Sequence, residues 1–407
     1  MRYLSIIITL LTLALSATAQ SNRTVSGDSV RVSLITCYPG QEIYELYGHT
    51  ELRVVTAESD IVYNYGTFDF RTPNFMYRFV KGETDYMVMG YPSMYLYVGY
   101  DNRKIVEQVL NLTPEEARKV QRALEVNALP ENRTYRYNYV LDNCSTRPRD
   151  IIEAAISTSI CYHDDDVSTT FRTMMHHYNA NYAWQQLGID LALGSGLDYP
   201  IGLHEQMFAP ITLMQAFGNA TVERHGKQEP LVAQTITLSP GSDEGYILPP
   251  TPWYAQPLTI AIALLLSGIA LSLCDVRRLK VCRIADSALF TIYSLAGSLV
   301  AFLVFVSTHE ATSPNYNLLW IHPLHIIPAV LVWIKSAEKV VYCYHFLNFA
   351  ELLLTMLLWW ALPQCANVAF FPLMALPAVR SLSYLVIRHK CNNETTPRSK
   401  CARKQGK

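Results

Sequence analysis

The sequence has little net charge and few charged residues. Its 33 Lys and Arg residues nearly balance its 34 Asp and Glu residues, and only 16 % of the chain is charged. Proteins that bind nucleic acid generally need a strongly basic face, so this composition argues against a nucleic-acid partner. The sequence also has neither a CxxC pair nor a Cys/His spacing suited to zinc. We therefore expect no metal and no other cofactor.

What the sequence does have is a sharp division into polar and apolar parts. Arg2, a short apolar run and Ala17-Thr18-Ala19 form a typical export signal, and the run is short for an uncleaved anchor helix. We predict four segments: a signal peptide (1–19), an exported domain (20–250), a transmembrane domain (251–388) and a basic cytoplasmic tail (389–407).

The last third of the chain predicts five membrane spans. Their ranges are 257–274, 286–306, 320–334, 346–362 and 368–387. Lys and Arg residues follow the first, third and fifth spans, whereas the linkers 307–319 and 363–367 contain none. Positive residues mark the cytoplasmic side, so we predict a multi-pass membrane protein with the exported domain outside and the C-terminus inside.

The exported domain reads as a mixture of strands and helices. Thr113-Pro114-Glu115-Glu116 has the capping pattern of a helix start, and that helix should end near Asn127. The strand predicted at Tyr135–Leu141 leads to Cys144. Alternating polar and apolar residues predict the other strands at Val30–Thr36, His49–Thr56, Ile61–Tyr65, Tyr86–Met89 and Lys104–Leu112.

Cys144 lies where the chain should pass into a helix. Pro148 is tolerated only in a first turn, so the helix should start near Ser145–Arg147. Free N–H groups, the helix dipole and the positive charges of Arg147 and Arg149 would favour a thiolate there. The alternative is a small buried cysteine without a chemical role.

His49 is the corresponding candidate for a base. It opens a predicted strand, where a histidine can also be an ordinary packed residue. A catalytic imidazole needs a third group that orients its ring. Asn64 on the next strand is the first candidate for that role, and Asp69 is the second.

Three other features leave alternatives open. Residues 171–217 are rich in Met, Tyr, Trp and Leu, which predicts either ordinary core or an apolar groove for acyl chains. The outer linker with His309, Glu310, Asn315 and Asn317, followed by Trp320, His322 and His325, predicts either an interfacial belt or a site for a lipid headgroup. Cys37 and Cys161 are available for a disulfide in an oxidising compartment.

Several stretches carry a resemblance to a known family. A histidine followed later in the chain by an Asn-Cys motif resembles the circularly permuted papain-like fold of lecithin:retinol acyltransferase. More specifically, the chain resembles the Lnb family of bacterial lipoprotein N-acyltransferases. The stretches that carry the resemblance are 48–53 (GHTELR), 63–70 (YNYGTFDF), 143–150 (NCSTRPRD) and 187–194 (LGIDLALG).

The resemblance implies a fold class, a reaction and a set of site residues. The fold would be an α+β exported domain, with an antiparallel sheet and a catalytic helix, followed by an all-α five-span transmembrane domain. The resemblance also implies a multi-pass protein of the bacterial inner membrane whose catalytic domain faces the periplasm. Cys144 would take an acyl chain from a membrane phospholipid as a thioester, and the N-terminal amine of a diacylglyceryl-cysteine lipoprotein would receive it. Asn143, Arg147, Arg149 and Tyr65 lie in or beside the same stretches, and we expect them to bind substrate.

The alternative interpretation keeps the same thiol and imidazole but changes the substrate. A membrane-anchored papain-like cysteine hydrolase would cleave cell-wall peptides or amides. One anchor would suffice for such a water-soluble substrate, so five predicted spans favour the lipid reaction. A non-enzymatic partner-binding domain with a structural thiol is the third possibility.

Overall fold

The structure is a computed structural model that describes residues 29–394, except for 101, 164–167 and 242–248. The predicted signal peptide and most of the predicted cytoplasmic tail lie outside these residues. The described part consists of a sheet-rich exported domain followed by a helical domain. The expected α+β and all-α parts are therefore both present, in the expected order.

A seven-stranded antiparallel sheet forms the centre of the exported domain. Its order is β10-β5-β1-β2-β3-β4-β6, and a second sheet has the order β7-β8-β9. The five strands predicted ahead of residue 113 are confirmed, with ends shifted by a few residues. The strands are β1 (Arg31–Cys37), β2 (His49–Val55), β3 (Asp60–Thr67), β4 (Asp85–Pro92), β5 (Ile105–Leu110), β6 (Thr134–Arg136), β7 (Ile160–Cys161), β8 (Thr221–Arg224), β9 (Lys227–Pro230) and β10 (Val232–Ser239).

Helices cover one face of the large sheet. The predicted helix is confirmed as a fourteen-residue element at Pro114–Asn127, and both hydrogen bonds of its capping box are present. Buried side chains of β1, β2 and β3, among them Leu34, Leu52 and Tyr65, share one core with this helix and its neighbours. The helices of this domain are α1 (Phe75–Lys81), α2 (Leu96–Gly99), α3 (Pro114–Asn127), α4 (Thr146–Ala155), α5 (Phe171–Tyr178), α6 (Ala183–Ala192), α7 (Leu203–Gln206) and α8 (Pro210–Asn219).

The prediction of a strand at Tyr135–Leu141 is wrong beyond its first residues. Strand β6 ends at Arg136, and a tight turn follows. The Asn138 side chain accepts hydrogen bonds from the backbone N–H groups of Val140 and Leu141, each at 3.1 Å. Asparagine favours such turns because its side chain replaces a backbone partner. The turn, rather than a strand, therefore delivers Cys144 to the start of α4.

Residues 171–217 are mostly ordinary core. Phe171, Met175, Leu197 and Phe208 are buried in one cluster, and Leu213 belongs to the core under the sheet. These buried side chains are already covered by protein. Of the two alternatives for this block, the structure therefore favours core over an acyl groove.

Four helices of the second domain are long and apolar enough to cross a membrane, counted among the described residues. They include the first, second, fourth and fifth predicted spans, although the fourth begins several residues earlier than predicted. Their ranges are α9 (Pro257–Arg278), α10 (Arg283–Phe305), α12 (Glu338–Leu358) and α13 (Phe370–Glu394).

The third predicted span, residues 320–334, is not confirmed as a membrane helix. This segment contains the turn Pro323–His325 and only a short helix, α11 (Ile326–Leu331). The chain nevertheless returns along α10 after that helix ends. Thr308, just beyond the end of α10, bonds to the exported domain, whereas Ala329 accepts a hydrogen bond from Ser287 near the start of α10. Prolines remove backbone donors and interrupt a helix. One side of the segment packs on protein through the buried Trp320, His325 and Ala329, whereas its other side, with Leu324 and Val330, is exposed.

Buried polar contacts join the two domains. Asp190 of α6 is 1 % exposed and accepts hydrogen bonds from Arg172 at 3.0 Å and from Asn367 at 2.8 Å. Asn315 and Asn317 donate to the carbonyls of Leu191 and Asp190, each at 2.9 Å. The outer linker therefore holds the exported domain, a role that differs from both the belt and the headgroup site considered above.

Candidate active site

The strand register brings the imidazole of His49 and the amide of Asn64 together. His49 is the first residue of β2, and Glu51 of the same strand pairs directly with Asn64 of β3. Residues two apart on a strand point to the same face, and directly paired residues share a face. The His49 Nε2 atom lies 2.9 Å from the Asn64 Oδ1 atom, so the ring donates to the amide oxygen.

The Cys144 sulfur lies at the other side of the same ring. Burial alone would raise the pKa of Cys144, whereas the charge and side chain of His49, the backbone of Thr50 and the side chain of Ser145 act on the sulfur and lower that pKa. The Thr50 hydroxyl is 3.0 Å from that of Ser145. Cys144, His49 and Asn64 therefore have the connectivity of a nucleophile, a base and an orienting group.

A capped turn fixes the position of the thiol. The Asn143 side chain accepts hydrogen bonds from the backbone N–H groups of Ser145 at 2.7 Å and Thr146 at 3.0 Å, and it donates to the Phe208 carbonyl at 2.9 Å. These contacts satisfy the free donors at the start of α4. Asn143 is 4 % exposed. Its position therefore supports a structural role instead of the predicted contact with substrate.

Gly66 forms a bulge in the sheet next to Cys144. The pairing of β3 with β4 shifts register between Tyr65 and Thr67, and Gly66 adopts φ +96°. A side chain there would be strained, and its Cβ would lie 3.8 Å from the Cβ of Cys144. A glycine inside a strand pattern often marks such a bulge or a close approach, and this was the available signal that the sequence analysis missed.

The electrostatics favour a charged pair. Burial alone would lower the pKa of His49, but the negative charge of Cys144, its hydrogen bond and the charge of Glu51 raise that pKa from 6.5 to about 9. Burial alone would raise the pKa of Cys144, but the charge of His49 and the hydrogen bonds to the sulfur lower it from its ordinary value. A thiolate beside an imidazolium is therefore the expected neutral-pH state.

Glu51 is a further buried group that the sequence analysis did not identify. It is 1 % exposed, and its carboxylate accepts hydrogen bonds from the Tyr91 hydroxyl at 2.8 and 2.9 Å. Tyr100 also bonds to it and lies 6.0 Å from the His49 ring, measured between centroids. Burial raises the pKa of Glu51, whereas His49 opposes that change. When ionised, Glu51 adds to the field that keeps the imidazole protonated.

Tyr137 supplies a neutral hydroxyl next to the sulfur. Its ring and the Cβ of Cys144 lie 3.5 and 3.8 Å from the position that a Cβ on Gly66 would take, and burial raises the pKa of the phenol well above its ordinary value. The phenol therefore keeps its proton and can donate it to an oxyanion. Sequence reasoning missed Tyr137 because it treated residues 135–141 as a strand.

The other predicted site residues lie outside this constellation. Asp69 pairs with Arg71 at the surface, with an N···O distance of 3.1 Å, so Asn64 rather than Asp69 holds the ring. Tyr65 is fully buried and its hydroxyl accepts a hydrogen bond from Asn127, so its position does not support substrate binding.

The two arginines after Cys144 form structural contacts. Arg147 bonds to the Asp142 carboxylate at 2.8 Å and lies over the ring of Tyr135 at 3.7 Å. Arg149 is buried and bonds to Asp150 and to the His204 carbonyl. Both arginines brace the start of α4, and neither contacts the sulfur through these bonds.

Among the residues that the structure describes, the remaining cysteines and acids suggest neither a disulfide nor a metal site. Cys37 is a buried free thiol and Cys161 an exposed one, so the disulfide considered between them is absent. Asp150, Glu153 and His204 place ligand atoms within 4.8 Å of one another, but this exposed group is explained by its own pairings. Exposed acidic groups of this kind carry no metal assignment.

The turn that carries Cys144 also touches the membrane domain. The Asn138 amide donates to the Glu310 carboxylate at 2.9 Å, and the Arg136 guanidinium donates to the Thr308 carbonyl. Glu310 and Thr308 belong to the linker that follows the second membrane helix. The thiol is therefore held close to the outer end of the membrane helices.

Together, the fold and the site define a membrane protein in which an exported α+β domain holds a Cys-His-Asn constellation beside a helical bundle. Comparison with known families gives the particular family. Residues 17–177 match the Lnb N-terminal periplasmic domain, and residues 250–392 match the Lnb transmembrane domain. The chain therefore belongs to the Lnb family and is a multi-pass membrane protein with a periplasmic domain. No curated protein and no solved structure matches it.

Proposed function

We propose that this protein is a lipoprotein N-acyltransferase of the inner membrane, with Cys144 as nucleophile. The observation that carries the proposal is the Cys144-His49-Asn64 constellation on a turn that is bonded to the membrane domain. Membership of the Lnb family supports the same reaction class. The acyl donor would be a membrane phospholipid, and the acceptor would be a diacylated lipoprotein with a free N-terminal amine.

In the first half-reaction, the Cys144 thiolate attacks an ester carbonyl of the phospholipid. The carbonyl oxygen becomes an oxyanion, and the Tyr137 hydroxyl, which burial keeps protonated, is the candidate donor to it. The His49 imidazolium gives its proton to the departing lysophospholipid alkoxide. The products are a Cys144 thioester, a lysophospholipid and a neutral imidazole.

In the second half-reaction, the neutral N-terminal amine of the lipoprotein attacks the thioester. His49 accepts the proton that the amine loses, and the Cys144 thiolate leaves. The products are an amide on the lipoprotein and the original thiolate–imidazolium pair. An α-amino group has a pKa of roughly 8, so part of it is neutral at physiological pH.

The membrane domain fits this reaction because both substrates are lipids. Holding them in one bilayer beside the thiol converts encounters in three dimensions into encounters in a plane and raises their effective concentration. A cell-wall hydrolase would use the same side chains on a water-soluble substrate. The hydrogen bonds from the Cys144 turn to the linker between membrane helices favour the lipid substrate.

The direct test is replacement of Cys144 in a cell that depends on this protein for lipoprotein acylation. Mass spectrometry of lipoprotein N-termini should then show diacylated chains with a free amine for both Cys144→Ala and Cys144→Ser. Cys161→Ser, which removes an exposed thiol, serves as the matched control and should preserve triacylated chains. Complete N-acylation in the Cys144→Ala strain would refute the proposal, and altered cell-wall fragments would favour the hydrolase.

A further inference from the structure

A continuous row of aromatic rings leads away from the candidate nucleophile. Tyr137 lies beside Cys144, since both side chains come within 4 Å of the position that a Cβ on Gly66 would take, and its ring stacks on Tyr86 with centroids 4.3 Å apart. Tyr86 contacts Phe68 at 5.2 Å, and Phe68 stacks on Phe75 at 5.7 Å. Phe75, the first residue of α1, is followed along the row by Phe79 at 6.0 Å. These five residues, Tyr137, Tyr86, Phe68, Phe75 and Phe79, are called the aromatic row below.

The far end of the row reaches a membrane helix. The Phe79 carbonyl accepts a hydrogen bond from His309 at 2.8 Å, and the Lys81 carbonyl accepts one from the Thr308 backbone at the same distance. The Tyr77 ring lies 6.1 Å from that of Phe302 in α10. Leu295 and Leu299 precede Phe302 at helical spacing and are exposed, so they form a stripe facing lipid.

Helix α1 has the properties of a segment that lies in lipid rather than in water. It is seven residues long and contains no buried residue. Phe70 just before it is 67 % exposed, and Met76 and Tyr77 within it are 69 % and 55 % exposed. So short a helix with an uncovered apolar surface would be marginal in water.

The charges on α1 fit the same location. Arg78 pairs with Asp85 at 2.8 Å, and Lys81 pairs with Glu83 at 2.7 Å. Aromatic and Met side chains with adjacent basic residues are the composition of a helix in the membrane interface. The apolar surface of α1 is also continuous with the lipid-facing stripe of α10, and this continuity identifies lipid as its covering.

We propose that α1 lies in the outer leaflet and that the aromatic row, with Phe70 and Met76 at its margin, binds the acyl chain of the phospholipid donor. The chain would pass from the bilayer along the row and bring its ester to Cys144. This inference rests on the proposed function for the identity of the donor, but the contact with lipid is independent of any reaction. It also places the acyl chain on residues 68–86 and 137, instead of on the block 171–217.

Photocrosslinking tests the contact without requiring catalysis. Full-length Cys144→Ala protein carrying p-benzoylphenylalanine at Phe70 or Met76 would be reconstituted into vesicles of phosphatidylethanolamine and phosphatidylglycerol. Irradiation should give a phospholipid adduct at both positions. Lys227 is the control position, because it is exposed and lies in the β8–β9 hairpin. This hairpin bonds to Asn111, which follows β5 at the end of that strand opposite to the one paired with Cys37.

An activity measurement completes the test. Phe70→Ser and Met76→Ser change exposed side chains, so folding should persist. Each should lower acyl transfer from vesicle phospholipid at least tenfold, while Cys144 alkylation by iodoacetamide keeps its rate. Lys227→Ser should leave both rates unchanged.

The outcomes separate this inference from the proposed function. Lack of a phospholipid adduct at both positions, or an equal yield at Lys227, would overturn the lipid contact. Wild-type rates of acyl transfer in both Phe70→Ser and Met76→Ser would overturn the assignment to the donor. A phospholipid adduct in a protein whose wild-type form transfers no acyl chain would refute the proposed function and leave the lipid contact standing.

Discussion

Replacing Asn64 with alanine removes the oxygen that accepts a hydrogen bond from the His49 ring at 2.9 Å. A hydrogen bond to a charged group contributes about 1.5–3 kcal/mol, which corresponds to roughly a 10- to 150-fold change in a rate or equilibrium. Without this acceptor the imidazolium is less stable and its ring can rotate away from the sulfur. We therefore expect the pKa of His49 to fall and that of Cys144 to rise.

Two measurements check this reasoning on the purified full-length Asn64→Ala protein. The pH dependence of Cys144 alkylation should move to higher pH, and acyl transfer at neutral pH should fall roughly 10- to 150-fold. Asn64→Asp keeps an acceptor at the same place and should retain most of the transfer.

The matched control is Asn127→Ala. It removes a side-chain hydrogen bond of 3.0 Å to Tyr65, which lies on β3 next to Asn64. It should leave the alkylation profile unchanged, because Tyr65 does not contact the imidazole. An Asn64→Ala protein with the wild-type alkylation profile and the wild-type rate would show that Asn64 does not orient His49.

Three further predictions concern pH, the domain interface and backbone packing. Because the pKa of His49 is raised to about 9, its proton is present through neutral pH, and transfer should decline as the pH rises above about 9 in a rate–pH profile. Asp190→Ala should destabilise the protein by about 3 kcal/mol in thermal unfolding, since it leaves a buried guanidinium short of a partner, whereas Asp69→Ala removes an exposed pair and should change nothing measurable. Gly194→Ala should loosen the interface and speed proteolysis between the domains, because its Cβ would lie 2.1 Å from a carbonyl oxygen, whereas Gly188→Ala meets nothing within 4 Å and should be tolerated.

Local patterns predicted the regular elements well. Strands β1–β5 alternate polar and apolar residues, and the helix at Pro114–Asn127 has a complete capping box, so each carries its own signal. The strand prediction for the segment before Cys144 was wrong because Tyr135–Leu141 has strand-like residues, whereas the side chain of Asn138 folds the segment into a turn. A turn held by one amide has no periodicity, so a search for alternation extends the strand through it.

The prediction of a third membrane span was not confirmed, for a different reason. Hydropathy reports that residues 320–334 are apolar, but it does not report how their backbone hydrogen bonds are satisfied. Here Pro323 and Pro328 prevent a continuous helix, and neighbouring elements supply partners such as the Ser287 hydroxyl for the Ala329 carbonyl. Only tertiary packing can reveal such a segment.

The contacts of the site that depend on strand pairing could be predicted from the sequence. Asn64 follows from His49 once β2 and β3 are adjacent, because a neighbouring strand presents its residues to the same face. Glu51 and Tyr137 were not predictable in this way, since one depends on burial and the other on the path of a turn. For Asn143, a motif identifies a position without saying whether it contacts substrate or supports the backbone, and the hydrogen bonds in the structure are of the second kind.

The arrangement of the site would also limit how the proposed thioester can be used. Cys144 is 8 % exposed, and the turn that carries it is hydrogen-bonded to Glu310 and Thr308 in the linker between membrane helices. Water attacking the thioester would waste the acyl chain, so a transferase needs its acceptor to reach the sulfur more readily than water does. A lipid-anchored amine in the same leaflet as α1 meets that requirement through position alone. Loosening the Asn138–Glu310 contact should therefore raise the ratio of hydrolysis to transfer, even where total consumption of phospholipid is unchanged.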